Sequence, residues 1–227
     1  MNSPCNFAVY YASDAYSTAK KIMGRQSAGK AFMRGLARTW PQGPLTGVGQ
    51  GQTSARAMLQ QLQGDGFGGT LRWAELPEWG ALEAIGALYY PAPPSKDLCY
   101  SRNAYRPDAL SLIGVTHTLS SADAMDHIAD LVLPPFKPWD AMICTSQVAH
   151  TLASQMQAEM RDWMQEQTRA TRFNTPHMPV IRVRSKPVSA CLKLPRQGDP
   201  LRGQVQTLAR KYGACILAVL DVCRRYS

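Results

Sequence analysis

Short apolar runs alternate with helical stretches through the first 181 residues of this 227-residue chain, and that alternation restricts its fold more than any other feature. Residues 6–11 are apolar and aromatic and read as a buried first strand. Further strands are expected at 70–73, 86–90, 110–116, 140–145 and 178–181. Helices are expected at about 27–40, 54–63, 122–131 and 146–168. Pro41 and Pro44 stop the first helix. Ser54 and Gly64 bracket the second, Pro134 and Pro135 end the third, and Ser146 caps the fourth. The glycine-rich segment 45–53 is expected to loop. Such an order predicts an α/β fold built on a parallel sheet with helices on both faces. Ligands of such sheets sit beyond the carboxyl ends of the strands. That rule directs attention to 12–29, 90–103, 117–121 and 145–147.

Composition narrows the classes. No apolar run reaches 18 residues, so no membrane-spanning helix is expected. The first residues lack a basic region followed by an apolar stretch, so no secretory signal is read and a cytoplasmic location is the default. The six cysteines (Cys5, Cys99, Cys144, Cys191, Cys215, Cys223) form no CxxC or other metal-like spacing, and His127, His150 and His177 show no cluster partners. Free, mostly buried thiols and no metal site are therefore expected. The net charge of +9 is concentrated at one end. Residues 182–227 hold ten Lys and Arg against Asp199 and Asp221, whereas the first 181 residues are near neutral. A nucleic-acid groove on the body is not expected. The basic end offers only Tyr212 and Tyr226 for base stacking.

Two segments carry chemistry. Gly24 to Lys30 fits GxxxxGK, but Ala31 stands where a magnesium-binding Ser or Thr is needed, and the segment starts well after the first strand. A Walker site is thereby rejected. Gly24, Arg25, Ser27, Gly29 and Lys30 remain candidates for holding a phosphate at a helix start, with an ordinary connecting loop as the alternative. His117 directly follows a buried strand and precedes a helix. It can hydrogen-bond a hydroxyl or move a proton, or it can be structural. Asp14, Arg102, Asn103 and Thr118 are further substrate-binding candidates. Arg102 reads equally as a solvated loop arginine. Met156, Met160, Met164 and Trp163 read as core packing.

Four stretches together resemble the N-terminal domain of a bacterial subgroup of the family-4 (group 1) glycosyltransferases: YYASDAYSTAKKIMGRQSAGK at 10–30, GALYYP at 86–91, LIGVTHTLSS at 112–121 and WDAMICTS at 139–146. The resemblance covers roughly residues 6–181. It implies a Rossmann-like domain forming one half of a GT-B enzyme, with the acceptor bound on this side of a cleft. It implies catalysis without a resident cofactor or metal, a nucleotide-sugar being the co-substrate. The 24–29 loop would lie near the donor phosphates, and His117 would be the cleft histidine. The partners implied are a carbohydrate or glycolipid acceptor and a donor-binding domain, for which a separate donor-binding chain is one source. Nucleic acid is not among them, and peripheral membrane contact is compatible with the group. Residues 182–227 depart from the family pattern. They are expected to be a basic, atypical tail, either frameshifted or the partial start of a second domain. A non-catalytic Rossmann-like module that binds carbohydrate or a partner chain is the alternative. The frameshift expectation has a direct check: another reading frame after codon 181 should encode a donor domain.

Overall fold

The computed structural model describes residues 7–16, 24–82, 84–117, 119 and 121–181. The 182–227 segment and Thr118 lie outside the described residues. The chain runs through β1 (Phe7–Tyr10), α1 (Ser13–Tyr16), α2 (Gly24–Thr39), β2 (Leu45–Gly49), α3 (Gly51–Gly64) and β3 (Leu71–Glu75). After a 3-10 turn at Trp79–Leu82 come β4 (Ala87–Tyr89), α4 (Lys96–Tyr105), β5 (Ser111–Val115), α5 (Ala122–Asp130), β6 (Ala141–Ile143) and α6 (Gln147–Thr168). The six strands form one sheet in the order β3-β2-β1-β4-β5-β6, and every pairing is parallel. This is a Rossmann-like α/β domain, as the strand–helix alternation predicts.

The sheet is buried on both faces because each central strand is apolar in both directions. Phe7, Val9, Tyr89, Ile113 and Ile143 point into one cluster, to which α1, α2 and α3 contribute Tyr16, Phe32, Met33, Leu36, Met58 and Leu62. Ala8, Leu88, Leu112 and Met142 point into a second cluster with Cys99 of α4, Ile128 of α5 and Ala149 and Ala153 of α6. Parallel strands connected by right-handed crossovers give this arrangement when the strand order runs outward in both directions from β1 and β4.

Three helices start on serine caps that satisfy otherwise orphaned backbone N–H groups. Ser95, Ser121 and Ser146 accept from Leu98 N, Ala124 N and Ala149 N. Ser146 was legible in the sequence. The second helix differs from expectation: α3 begins at Gly51 behind Gln50, which makes no side-chain cap, and Ser54 lies inside it. The segment 45–53, expected to loop, contains β2 instead. Its glycines serve packing. A Cβ on Gly47 would come within 2.7 Å of the Met58 sulfur and 2.8 Å of the Trp73 ring, and one on Gly49 within 2.9 Å of the same ring. The indole of Trp73 therefore lies flush on a strand that bulkier residues would push away. The 178–181 run makes only isolated bridges beside β6, with Ala141 opposite His177 and Cys144 opposite Val180.

Arg102 and Asn103, read in the sequence as substrate contacts, are structural. Arg102 is wholly buried in α4. Its Nη1 and Nη2 each donate to the Asp140 carboxylate, and the remaining donors go to Leu110 O, Pro135 O and Asn103 Oδ1. All five guanidinium N–H groups are thereby used. Asp140 also accepts from Leu112 N and Lys137 N at 2.8 Å. Asn103 donates to Pro135 O at 2.9 Å. The cluster sits at the amino ends of β5 and β6, the opposite edge of the sheet from the ligand side. Removing one partner of a buried pair costs about 3–5 kcal/mol. Arg102→Ala or Asp140→Ala is thus expected to lower Tm by roughly 10 °C in thermal unfolding. Replacing both with apolar residues should recover much of that loss.

Candidate functional site

The strand order reverses between β1 and β4, and the chain leaves their carboxyl ends in opposite directions. A crevice opens at such a point. Aromatic rings floor it. Tyr10 packs on Tyr90 with centroids 4.9 Å apart, Tyr11 stacks on Tyr16 at 5.3 Å, and Phe32 stacks on Tyr89 at 4.3 Å. Tyr16 Oη donates to Tyr10 O, and Gln61 joins Tyr11 Oη to Tyr16 O. Burial raises the phenols of Tyr11, Tyr16 and Tyr90, so all three remain neutral hydrogen-bonding groups.

Beside this floor, at the carboxyl ends of β4 and β5, lies a pocket of about 90 Å³ lined by Arg25, Pro91–Pro93, His117, Ser121, Asp123, Ala124 and His127. The β4–α4 connection forms one wall. Pro94 Cδ and Ala92 O approach Gly114 so closely that a side chain there would displace them. His117 stands at the end of β5 and is mostly buried. Burial, then the Arg25 charge, lowers its pKa from 6.5 to about 4. It is therefore a neutral imidazole at pH 7, able to donate from one nitrogen and accept at the other. Arg25 reaches over from the first turn of α2 and pairs loosely with Asp14, 3.6 Å away. Among the described residues its Nε, which is buried, has no hydrogen-bond partner.

His127 and Asp123 complete the polar lining. They are one helical turn apart on α5, with His127 Nε2 3.6 Å from Asp123 Oδ1. Sequence reasoning left His127 without a partner. The signal it missed was the i, i+4 relation on a helix beginning just after His117.

Several residues in the Gly24–Lys30 group take other positions. The segment is the start of α2, not a loop, and Gly24 is its first residue. Ser27 and Lys30 are exposed on that helix and do not line the pocket. Gly29 packs α2 on α1, where a Cβ would strike the Ala15 carbonyl oxygen. Of the residues named between 24 and 30, Arg25 lines the pocket. Of the remaining sequence candidates, Asp14 reaches this edge through Arg25.

Cys99 and Cys144 are free and buried, with thiol pKa values raised by burial, that of Cys144 to about 11. Neither is poised as a nucleophile. Among the described residues no helix is long and apolar enough to cross a membrane. The fold defines a class, a Rossmann-like α/β domain with one six-stranded parallel sheet. No protein-family model, curated protein or solved structure matches the chain.

The buried imidazole has a thermodynamic signature. Unfolded His117 binds a proton near pH 6.5, while the folded form resists it down to about pH 4. The unfolded state thus holds more protons between those values, and stability rises with pH through that window. At about 1.4 kcal/mol per pKa unit, the rise is as much as ~3 kcal/mol. Denaturant titrations at pH 4.5 and 7 should show this slope, and His117→Gln should largely remove it.

Proposed function

We propose that this domain is the acceptor-side half of a GT-B type glycosyltransferase, which moves a sugar from a nucleotide-sugar to a polysaccharide, lipid or protein acceptor. The observation that carries the reading is the meeting of His117 and Arg25 in a crevice at the switch point. A neutral imidazole suits a sugar hydroxyl, and an arginine with an unused Nε suits a phosphate. The small volume supports a half-site, since a pocket holding a whole ligand measures about 300–1,000 Å³. Met125, Val148 and Leu152 are exposed at the start of α5 and α6 on this same edge, as suits a face met by another domain. Stabilising the leaving diphosphate requires donors from both sides of the cleft. This chain by itself is accordingly expected to turn over no donor.

The low pKa of His117 favours a second reading, a carbohydrate-binding module without catalysis. An imidazole that protonates near pH 4 is a weak proton acceptor at neutral pH, so hydrogen bonding suits it better than proton transfer.

Calorimetry with a panel of UDP- and GDP-sugars tests the half-site. The expected result is no binding tighter than about 1 mM, the weak end of the affinity scale. Micromolar affinity lost in His117→Ala or Arg25→Ala would mean a complete donor site on this chain and would end the acceptor-half reading. Saturation-transfer NMR with oligosaccharides should show contact that His117→Ala weakens roughly tenfold, the worth of one good hydrogen bond. Glycosyl transfer on adding a donor-domain chain would separate enzyme from binding module.

A further inference from the structure

The two helical layers of this domain carry opposite charge. Helices α2 and α3, on one face of the sheet, hold Arg25, Lys30, Arg34, Arg38 and Arg56 and no Asp or Glu. Helices α5 and α6, on the other face, hold Asp123, Asp126, Asp130, Glu159, Asp162 and Glu166 against Arg161 alone. The near-neutral sum over residues 1–181 therefore hides a separation of charge across the sheet. Part of it is matched within the chain: Arg25 by Asp14, Arg34 by Asp65 and Asp130 by Lys96. Lys30, Arg34, Arg38 and Arg56 are nevertheless exposed on one side, and Asp126, Glu159, Asp162 and Glu166 on the other.

Each layer gathers its charge into a ridge. Lys30, Arg34 and Arg38 recur every four residues and so lie along one side of α2. Glu159, Trp163 and Glu166 follow at steps of four and three on α6, which sets an indole between two carboxylates. Trp163 is 55% exposed. It stands about 22 Å along α6 from Val148, well away from the crevice edge. We propose that the Lys30–Arg34–Arg38 ridge of one copy docks on the Glu159–Trp163–Glu166 ridge of a second copy. The spans agree, about 12 Å from Lys30 to Arg38 and about 10 Å from Glu159 to Glu166. Arg34 then meets the Trp163 ring, whose face attracts a guanidinium, while Lys30 and Arg38 meet the two carboxylates. Among the described residues, none of the exposed large apolar side chains lies on α2 or α3, so arginine stems cover the indole. Like charges oppose the pairing of either ridge with itself, which disfavours a two-fold dimer through one ridge. The contact is head to tail and repeats into a ring or an open chain. It goes beyond the glycosyltransferase reading and does not rest on it.

Sedimentation velocity of the full chain tests the contact. Between about 5 and 200 μM protein at low salt, the weight-average mass should rise from the 25.0 kDa monomer to at least twice that value. At about 1 M salt, where the screening length is ~3 Å, the monomer should return. Lys30→Glu with Arg38→Glu, and Glu159→Lys with Glu166→Lys, should each abolish the rise. An equimolar mixture of the two double variants should restore it, which loss of a merely structural side chain would not do. Association that either double variant leaves intact would overturn the proposal. So would a monomer at every concentration, and its retention on heparin would then give the basic ridge to a polyanion.

Discussion

The Arg102–Asp140 pair governs how half of this domain is held together. Its two side chains are 0% and 1% exposed, so neither charge has water to fall back on. The geometry compensates by saturating every lone pair and proton within reach. One guanidinium ties α4 to the residue preceding β5 and to the 135 turn. One carboxylate ties that guanidinium to the Leu112 amide of β5 and to the Lys137 amide of the turn before β6. The amino ends of β5 and β6 are thereby set relative to α4, and with them the direction in which both strands run to their carboxyl ends. A salt bridge at one edge of the sheet thus sets the geometry of the crevice at the other.

That division of labour is a property of parallel sheets. Loops at the amino edge can be tied down by polar contacts, while the carboxyl edge is left to build a site. Here the carboxyl edge is stiffened by aromatic stacking instead. Tyr10, Tyr11, Tyr16, Tyr89 and Tyr90 pack in ring pairs around the carboxyl ends of β1 and β4. Rings suit that position because their faces bury area and their hydroxyls reach backbone carbonyls. His117 and Arg25 stand over this floor, one from a strand end and one from a helix start.

Much of the architecture was legible because short apolar runs and serine caps are local signals. The segments 110–116 and 140–145 contain β5 and β6, and Ser146 caps α6. What the sequence hid was decided by contacts distant along the chain. Gly47 and Gly49 look like loop residues until Trp73 is placed over them. Helix α4 follows a proline-rich stretch and carries few apolar residues, so its ten residues give no clear helical signal in the sequence. Arg102 could not be told from a solvated arginine without knowing that Asp140, 38 residues later, lies against it. His117 could be singled out by its position directly after a strand, and Arg25 by its place near a helix start. Their meeting in one pocket, and the arrival of His127 beside them, required the fold.

The serine caps have a consequence beyond holding helix ends. Ser95, Ser121 and Ser146 begin the helices that follow β4, β5 and β6, so α4, α5 and α6 all start at the carboxyl edge of the sheet. Each helix presents there the positive end of its backbone dipole, equivalent to roughly half an elementary charge. This edge therefore carries a standing positive potential that needs no lysine and titrates with nothing. The field is a property of the winding itself, and it would persist if every ionisable side chain around the crevice were neutral.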